Sequence, residues 1–357
     1  MKVLIAAGGT GGHIYPGIAV ANEILRRDEN SEVRFAGTEK GLETKIVPDN
    51  GFELSLINSV GLKNVGLAGK IRGLFILPKS FLESRKLLKE FKPDAVVGAG
   101  GYVTGAVLLM ASFMKIPTLV MESNALPGFT NRQLARFVNK AALTFEEAVP
   151  YFGDKGIVTG NPVRKEFFEI KPKERSENLN VLLFGGSQGA RAINLAMIDA
   201  LEFLKDEKNN LSIFHQTGKY DFETVKQGYD KNSWDSADIR EYISDMVSAF
   251  EKTDLIISRA GATTCAEVAA AGKVAIMIPL PTAADDHQRK NAEALENNKA
   301  ATMILQDDLT GETLANEIKQ FMAAPEKINE MGLNAKNMAK ADAAEITANL
   351  IEELVNV

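Results

Sequence analysis

The sequence predicts an α/β protein made of two doubly wound, parallel-sheet domains. Three observations point there. Short, near-continuous apolar and β-branched runs alternate with helical stretches along the whole chain. One strand–glycine loop–helix unit appears twice: Lys2-Val3-Leu4-Ile5-Ala6-Ala7-Gly8-Gly9-Thr10-Gly11-Gly12 and Asn180-Val181-Leu182-Leu183-Phe184-Gly185-Gly186-Ser187-Gln188-Gly189. The 357 residues also suit about two domains at roughly 150 residues each.

Taken in order, strands are expected near 3–7, 33–36, 95–98 and 118–121 in the first half. In the second half they are expected near 181–184, 212–215, 255–258 and 274–278. The domains divide as 1–163 and 164–340. The polar segment Lys171-Pro172-Lys173-Glu174-Arg175-Ser176-Glu177 reads as a linker or surface loop. The tail places Ala343, Ile346, Leu350 and Leu354 on one helical face, so it should pack against a domain.

A composition of 45% hydrophobic and 25% charged residues excludes collagen-like, low-complexity and disordered classes. The single cysteine, Cys265, excludes an internal disulfide and a cysteine-based zinc site, which points to a reducing compartment. No apolar run reaches the ~18–20 residues of a membrane span. The apolar N-terminus turns directly into glycines and reads as a strand rather than a signal peptide. A cytoplasmic protein is expected.

The net charge of −6 is unevenly spread. Residues 1–163 carry 19 basic and 15 acidic side chains, a net of 19 − 15 = +4, and the remainder carries 22 − 32 = −10. Either surface charge drifts along the chain, or the first half meets an anion such as a phosphate or a membrane surface. An isoelectric point near 5.4 and the lack of an aromatic-basic motif argue against a nucleic-acid partner.

The first loop, Gly8-Gly9-Thr10-Gly11-Gly12-His13, reads either as a tight βα turn or as a ligand loop whose helix N-terminus faces an anion. Ile14 breaks the G-x-G-x-x-G spacing, so nicotinamide binding is poorly supported. His13 either caps its own helix or serves as a general base, because a helix N-terminus disfavours imidazolium and favours a neutral ring. In the second loop, Ser187 and the N–H groups of the following helix suit a diphosphate, with a structural turn as the alternative.

In Ser258-Arg259-Ala260-Gly261-Ala262-Thr263-Thr264-Cys265-Ala266-Glu267, spacing favours a Thr264/Glu267 capping box over a Glu267 that accepts vicinal ribose hydroxyls. Gln288 and Asn291 share a helix face and either reach sugar hydroxyls or begin a surface helix. No Asp-x-Asp triplet is present for a nucleotide-bound metal. Residues 70–92 hold seven basic and two acidic side chains with Leu74, Phe75 and Phe81 interleaved. On the residues alone, an amphipathic helix packed on the sheet is favoured over a membrane-facing one.

Together these motifs resemble the MurG family of glycosyltransferases. The similarity is carried by residues 8–13 with Pro16 and Gly17, and by Gly100-Gly101-Tyr102-Val103-Thr104-Gly105. It continues through 122–131, 159–164 and 185–191 with Asn194, then 258–267 and 287–291. Ser123 stands where members commonly have Gln, the loop 279–286 departs from the form seen in some members, and His287 occupies a position that is often Gln.

The resemblance implies a GT-B fold, two Rossmann-like domains with parallel sheets facing across a cleft, the helix of 341–357 returning to the N-terminal domain. It implies an inverting transfer of GlcNAc from UDP-GlcNAc to the C4 hydroxyl of undecaprenyl-pyrophosphoryl-MurNAc-pentapeptide (lipid I). This is a step of peptidoglycan and cell-wall biogenesis, and so of cell shape and division, at the cytoplasmic face of the cell membrane as a peripheral enzyme. No cofactor and no metal are implied.

By the same resemblance the catalytic residues are His13, the candidate base, and Glu122, its partner or rival. Donor contacts fall on Thr10, Gly11, Gly12, Asn124, Arg164, Ser187, Gln188, Gly189, Ile243, Ala262, Thr263, Glu267, Gln288 and Asn291. Within that set Arg164 and Ser187 meet the diphosphate, Glu267 the ribose, Gln288 and Asn291 the GlcNAc, and the backbone near Ile243 the uracil. Acceptor contacts fall on Gly12, His13, Tyr102 and Asn124. Leu74, Phe75, Lys79, Phe81, Arg85 and Lys86 would meet an anionic membrane surface. Two other readings compete: a UDP-GlcNAc 2-epimerase, which needs carboxylates flanking the sugar, and a non-catalytic sugar-nucleotide-binding module.

Overall fold

A computed structural model describes residues 1–39, 41–58, 67–171, 178–186 and 188–356, the side chains of 67–77 and 284 excepted. The chain forms two compact units, one of Met1–Val163 with Lys340–Val357 and one of Arg164–Ala339.

The first unit alternates β1 (Lys2–Ala7), α1 (Gly11–Arg27), β2 (Glu32–Gly37), α2 (Glu43–Asp49), β3 (Glu53–Leu56) and α3 (Leu67–Phe91). It continues with β4 (Ala95–Gly100), α4 (Tyr102–Phe113), β5 (Thr118–Glu122), α5 (Phe129–Leu134), β6 (Lys140–Leu143) and β7 (Gly156–Val158). The second unit holds α6 (Glu166–Glu169), β8 (Leu179–Phe184), α7 (Arg191–Phe203), β9 (Leu211–Gln216), α8 (Phe222–Lys231), β10 (Asp238–Arg240) and α9 (Met246–Lys252). After these come β11 (Leu255–Ser258), α10 (Ala262–Ala271), β12 (Val274–Met277), α11 (His287–Asn297), β13 (Ala301–Met303), α12 (Gly311–Ala323) and α13 (Pro325–Met338). The last helix, α14 (Ala343–Val355), belongs to the first unit.

Both sheets are parallel, in the orders β3-β2-β1-β4-β5-β6-β7 and β10-β9-β8-β11-β12-β13. Each therefore reverses direction once, between β1 and β4 and between β8 and β11, and the crevice at such a reversal is where open α/β sheets bind ligands. Helices cover both faces, so the central strands are buried throughout: Val3, Leu4 and Ile5 of β1 and Leu255, Ile256 and Ile257 of β11 are fully enclosed.

All eight expected strands are present. Five more escaped the pattern: β3, β6, β7, β10 and β13. They run only three or four residues, lie at or next to sheet edges, and read as Glu-Leu-Ser-Leu, Lys-Ala-Ala-Leu, Gly-Ile-Val, Asp-Ile-Arg and Ala-Thr-Met, too short for a periodic signal.

The unit boundary falls at residue 163/164, ahead of the segment expected to be a linker, and residues 172–177 of that segment lie outside the described residues. The tail helix packs through a face rotated from the expected one. Thr347, Ala348, Leu350 and Ile351 are buried with Ala343, while Ile346 and Leu354 are half-buried. Leu350 and Ile351 join the cluster of Val3, Ile5 and Ile24, each worth ~1.5–3 kcal/mol on burial. Arg27 anchors the helix at Asn349 Oδ1 (2.6 Å), the Glu345 carbonyl (2.9 Å) and Glu352 (3.1 Å).

Candidate functional site

In the first unit the candidate residues gather at the carboxyl ends of β1, β4 and β5. The loop after β1 leads into α1, whose N-cap is Thr10, so His13 stands in the first helical turn with its N–H on the Thr10 carbonyl (3.1 Å). Gly100 gives the ring its place. Its φ is +124°, and a Cβ there would fall 2.2 Å from His13 Nδ1, so only glycine admits the imidazole. Thr104 fixes that turn by donating to the carbonyls of Gly100 (2.8 Å) and Ala6 (3.1 Å). Tyr102, at the start of α4, is exposed.

Beneath the first glycine loop lies a residue that the sequence did not advertise. Glu43 is fully buried and accepts from the N–H of Gly9 (2.9 Å) and from the N–H and hydroxyl of Thr38 (both 2.8 Å). Burial pushes its carboxyl up, but the N–H groups of Thr38 and Gly9 outweigh that and hold it below the usual range.

Glu122 ends β5 with 3% exposure. Its Oε1 accepts from the N–H and side-chain amide of Asn124 (both 2.9 Å), and its Oε2 from the N–H of Gly128 (3.0 Å) and the amide of Asn131 (2.8 Å). Burial pushes the carboxyl up while the four donors pull the other way. Both oxygens are occupied by donors that shape residues 123–128, and burial outweighs those donors, holding the carboxyl above its usual value. Ser123, beside it, is buried 3.4 Å from Asn161 Oδ1, and Asn161 Nδ2 is a buried donor with no partner among the described residues.

In the second unit the candidates gather at the carboxyl ends of β8, β9, β11 and β12. Gly186, at φ +86°, repeats the backbone of Gly9 at +90°, which confirms the internal repeat at the level of conformation. Gln188 is exposed and Gly189 half-buried, and both precede the N-terminus of α7; Ser187 lies outside the described residues.

The capping-box expectation is overturned. Helix α10 starts at Ala262 after Gly261, without a side-chain cap, so Glu267 belongs to its second turn, too far along to bond the N-cap. Instead Glu267 Oε1 lies 3.6 Å from Arg164 Nη2. Burial raises the Glu267 carboxyl to about 7, against the pull of Arg164. Arg164 itself is half-exposed and stacks on Phe167 at 4.8 Å. Ala262 and Thr263 form the first turn of α10 and are partly exposed.

Gln288 and Asn291 do share a face of α11, but their surroundings differ from the expected pair of open amides. Asn291 is fully buried with Nδ2 on the Ala260 carbonyl (3.2 Å), and Gln288 Oε1 accepts from Leu280 N–H (3.0 Å). Both tie the β11 and β12 turns together. Arg259, to which the sequence assigned no role, does likewise: it donates to the carbonyls of Ile278 and Pro279 (both 3.1 Å) and to Gln306 (2.7 Å), and burial lowers its affinity for a proton. Ile243 is buried with its N–H on Gln216 Oε1 (2.7 Å).

On α3 the sheet-packing face is Ser80, Ser84, Leu87, Leu88 and Phe91, all buried. Lys79, Arg85, Lys86 and Leu82 point outward; Lys79 and Lys86 lie 3.7 and 3.8 Å from Glu83 and Glu90. Phe81 is half-buried, not fully on the outer face, and the side chains of Leu74 and Phe75 lie outside the described residues. No helix among the described residues is long and apolar enough to cross a membrane.

Two Rossmann-like units, each with a glycine loop at its strand-order reversal, make up the GT-B fold. Residues 3–143 match the glycosyltransferase family 28 N-terminal domain and residues 180–346 its C-terminal domain, and the chain belongs to glycosyltransferase family 28. It is 46% identical over 97% of its length to a Geotalea uraniireducens protein, with 96% of that protein covered. That relative is named UDP-N-acetylglucosamine--N-acetylmuramyl-(pentapeptide) pyrophosphoryl-undecaprenol N-acetylglucosamine transferase. A Myxococcus xanthus protein of the same name is 44% identical, with 99% of this chain and 93% of that protein covered. Among solved structures, Acinetobacter baumannii MurG is similar at a TM-score of 0.80, with 33% identity and 99% of both chains covered. A Neisseria meningitidis UDP-GlcNAc 2-epimerase at 17% identity and a TM-score of 0.71, with 99% of this chain and 100% of that one covered, shares the fold alone.

Proposed function

We propose that the protein transfers GlcNAc from UDP-GlcNAc to the MurNAc C4 hydroxyl of lipid I, with inversion, as a peripheral enzyme at the cytoplasmic face of the membrane. The observation that carries this is the convergence of Arg164, Glu267, the second glycine loop and the Ile243 loop on one end of the second sheet. Those groups match a nucleotide diphosphate in kind: a carboxylate for the ribose diol, a guanidinium and helix N-terminal N–H groups for the phosphates, and backbone for the base.

As the glycosidic bond breaks, negative charge grows on the leaving diphosphate. The α7 N-terminus and Arg164 meet that charge with donors already in place, and preorganised donors are the largest usual source of acceleration. The acceptor hydroxyl loses its proton while attacking the opposite face of the sugar, and the base assigned to take it is His13; its seat on Gly100 at the start of α1 supports that reading. By the family resemblance Gly12, Tyr102 and Asn124 are assigned to the acceptor, and Thr10 and Gly11 to the donor. Gln288 and Asn291 act on that sugar by holding the loops that face it. Lys79, Arg85 and Lys86 with Leu82 give α3 a basic, partly apolar outer face suited to anionic lipid.

The test is a product assay with labelled UDP-GlcNAc and a lipid I analogue. A disaccharide-lipid is expected only when both are present. Formation of UDP-ManNAc from the donor alone would replace this reading with an epimerase, and UDP binding without product would leave a binding module.

A further inference from the structure

The last two residues of β9, His215 and Gln216, are polar, buried, and directed to opposite faces of the sheet, as strand alternation requires. On one face, His215 Nε2 lies 3.0 Å from Asn194 Oδ1 and Nδ1 lies 3.0 Å from the Tyr229 hydroxyl. The Asn194 amide nitrogen donates to the Thr217 carbonyl (2.9 Å) and to Asp221 Oδ2 (3.0 Å), so its oxygen must accept. His215 therefore carries its hydrogen on Nε2, and Tyr229 donates to Nδ1. Burial lowers this ring to about 3, which keeps it neutral at every working pH. Asp221 takes Arg191 Nη1 at 2.5 Å, so the chain of bonds ends at the first residue of α7.

On the other face, Gln216 bridges two loops. Its Nε2 donates to the Gly186 carbonyl (2.9 Å) in the glycine loop, and its Oε1 accepts the N–H of Ile243 (2.7 Å) in the loop after β10. Residues 186, 216 and 243 come from three separate strand ends, and one amide holds all three in register.

We propose that Gln216 is the positioning residue that couples the nucleobase loop to the diphosphate loop, with His215 and Asn194 bracing the same strand end from behind. This rests on the assignment of the donor nucleotide to the second unit. An amide suits the task because one neutral group supplies both a donor and an acceptor. A carboxylate would set an oxygen against the Gly186 carbonyl, and a hydrocarbon would leave the Ile243 N–H without its acceptor and the Gly186 carbonyl with the Gly189 N–H (3.0 Å) alone, cutting the bridge between the two loops.

The experiment is calorimetric UDP binding to wild type, Gln216→Leu and Gln216→Glu at pH 8 and pH 6, with KM and kcat for UDP-GlcNAc alongside. Wild type binds UDP. Gln216→Leu is expected to weaken UDP about 10- to 100-fold and to raise KM in parallel while kcat holds within about threefold. Gln216→Glu keeps the acceptor for Ile243 but loses the donor to Gly186 while ionised. Its deficit relative to wild type should therefore be about tenfold or more at pH 8 and shrink at pH 6, as protonation restores an O–H donor. A merely structural glutamine would show no such recovery. Wild-type affinity in Gln216→Glu at pH 8, or a deficit equal at both pH values, overturns the proposal. Wild type that fails to bind UDP overturns the donor assignment itself and this inference with it.

Discussion

The two glycine loops share a left-handed glycine at equivalent positions, Gly9 and Gly186, and differ in what holds them from below. The first rests on a carboxylate, since Glu43 accepts the Gly9 N–H at 2.9 Å. The second rests on a neutral amide, since Gln216 donates to the Gly186 carbonyl, and among the described residues no carboxylate takes an N–H of that loop. A loop already committed to an internal anion repels a diphosphate, whereas one held by a neutral amide ahead of a helix N-terminus carries no such charge against it. The difference separates the tasks: the first loop presents a side chain, His13, and the second presents backbone. It also accounts for Glu122. Like Glu43, it is a buried carboxylate whose oxygens accept donors from a neighbouring loop.

Four variants would break or sharpen that contrast. The largest effect is expected for His13→Ala, which should lower kcat by ~10²–10⁴ with donor KM little changed, if the ring takes the acceptor proton; unchanged kcat in a steady-state assay removes His13 from the chemistry. Replacing Lys79, Arg85 and Lys86 by Glu should cost about 1 kcal/mol of membrane attraction per residue, read as lost sedimentation with anionic vesicles. Equal sedimentation of variant and wild type argues against a membrane role for α3.

Glu122→Gln sets an amide nitrogen among donors and strands the two that met the replaced oxygen, at about 1–3 kcal/mol each. Acceptor KM should rise and the thermal midpoint fall, with the pH profile of kcat unmoved; a shifted profile would restore Glu122 as a base. The smallest effect falls on Glu267. Its raised pKa means that the carboxylate, the form that accepts ribose hydroxyls, is present above about 7 and lost as pH falls through it. KM for UDP-GlcNAc should therefore rise about tenfold per pH unit below 7. Glu267→Gln should flatten that dependence, and a slope that survives the substitution points to another group.

Much of this was legible in the chain itself. Central strands such as β11, and β1 from Val3 onward, are buried, so they write themselves as unbroken apolar runs, and the glycines of 8–12 and 185–189 mark the carboxyl edge of each sheet, where Gly9, Gly186 and Gly189 have a left-handed backbone. Family resemblance singled out Arg164 and Glu267 together, against a spacing argument that favoured a cap. What the chain hid are the lone polar residues that act at a distance. Glu43 lies 34 residues from the loop it holds and Gln216 lies 30 from Gly186. Gln216 reaches across three strand ends and Glu43 has only Thr38 nearby in sequence, so no local pattern marks the loop that either one holds. The burial of Asn291 was hidden for the same reason, since its partner carbonyl at Ala260 is 31 residues away.

The division of labour between the loops is tested most directly by hydrogen–deuterium exchange with and without UDP. The strongest protection is expected at 184–190, 241–246 and 262–267, with residues 8–14 changed least. Protection strongest at 8–14, with the loops of the second unit unaltered, would contradict the account.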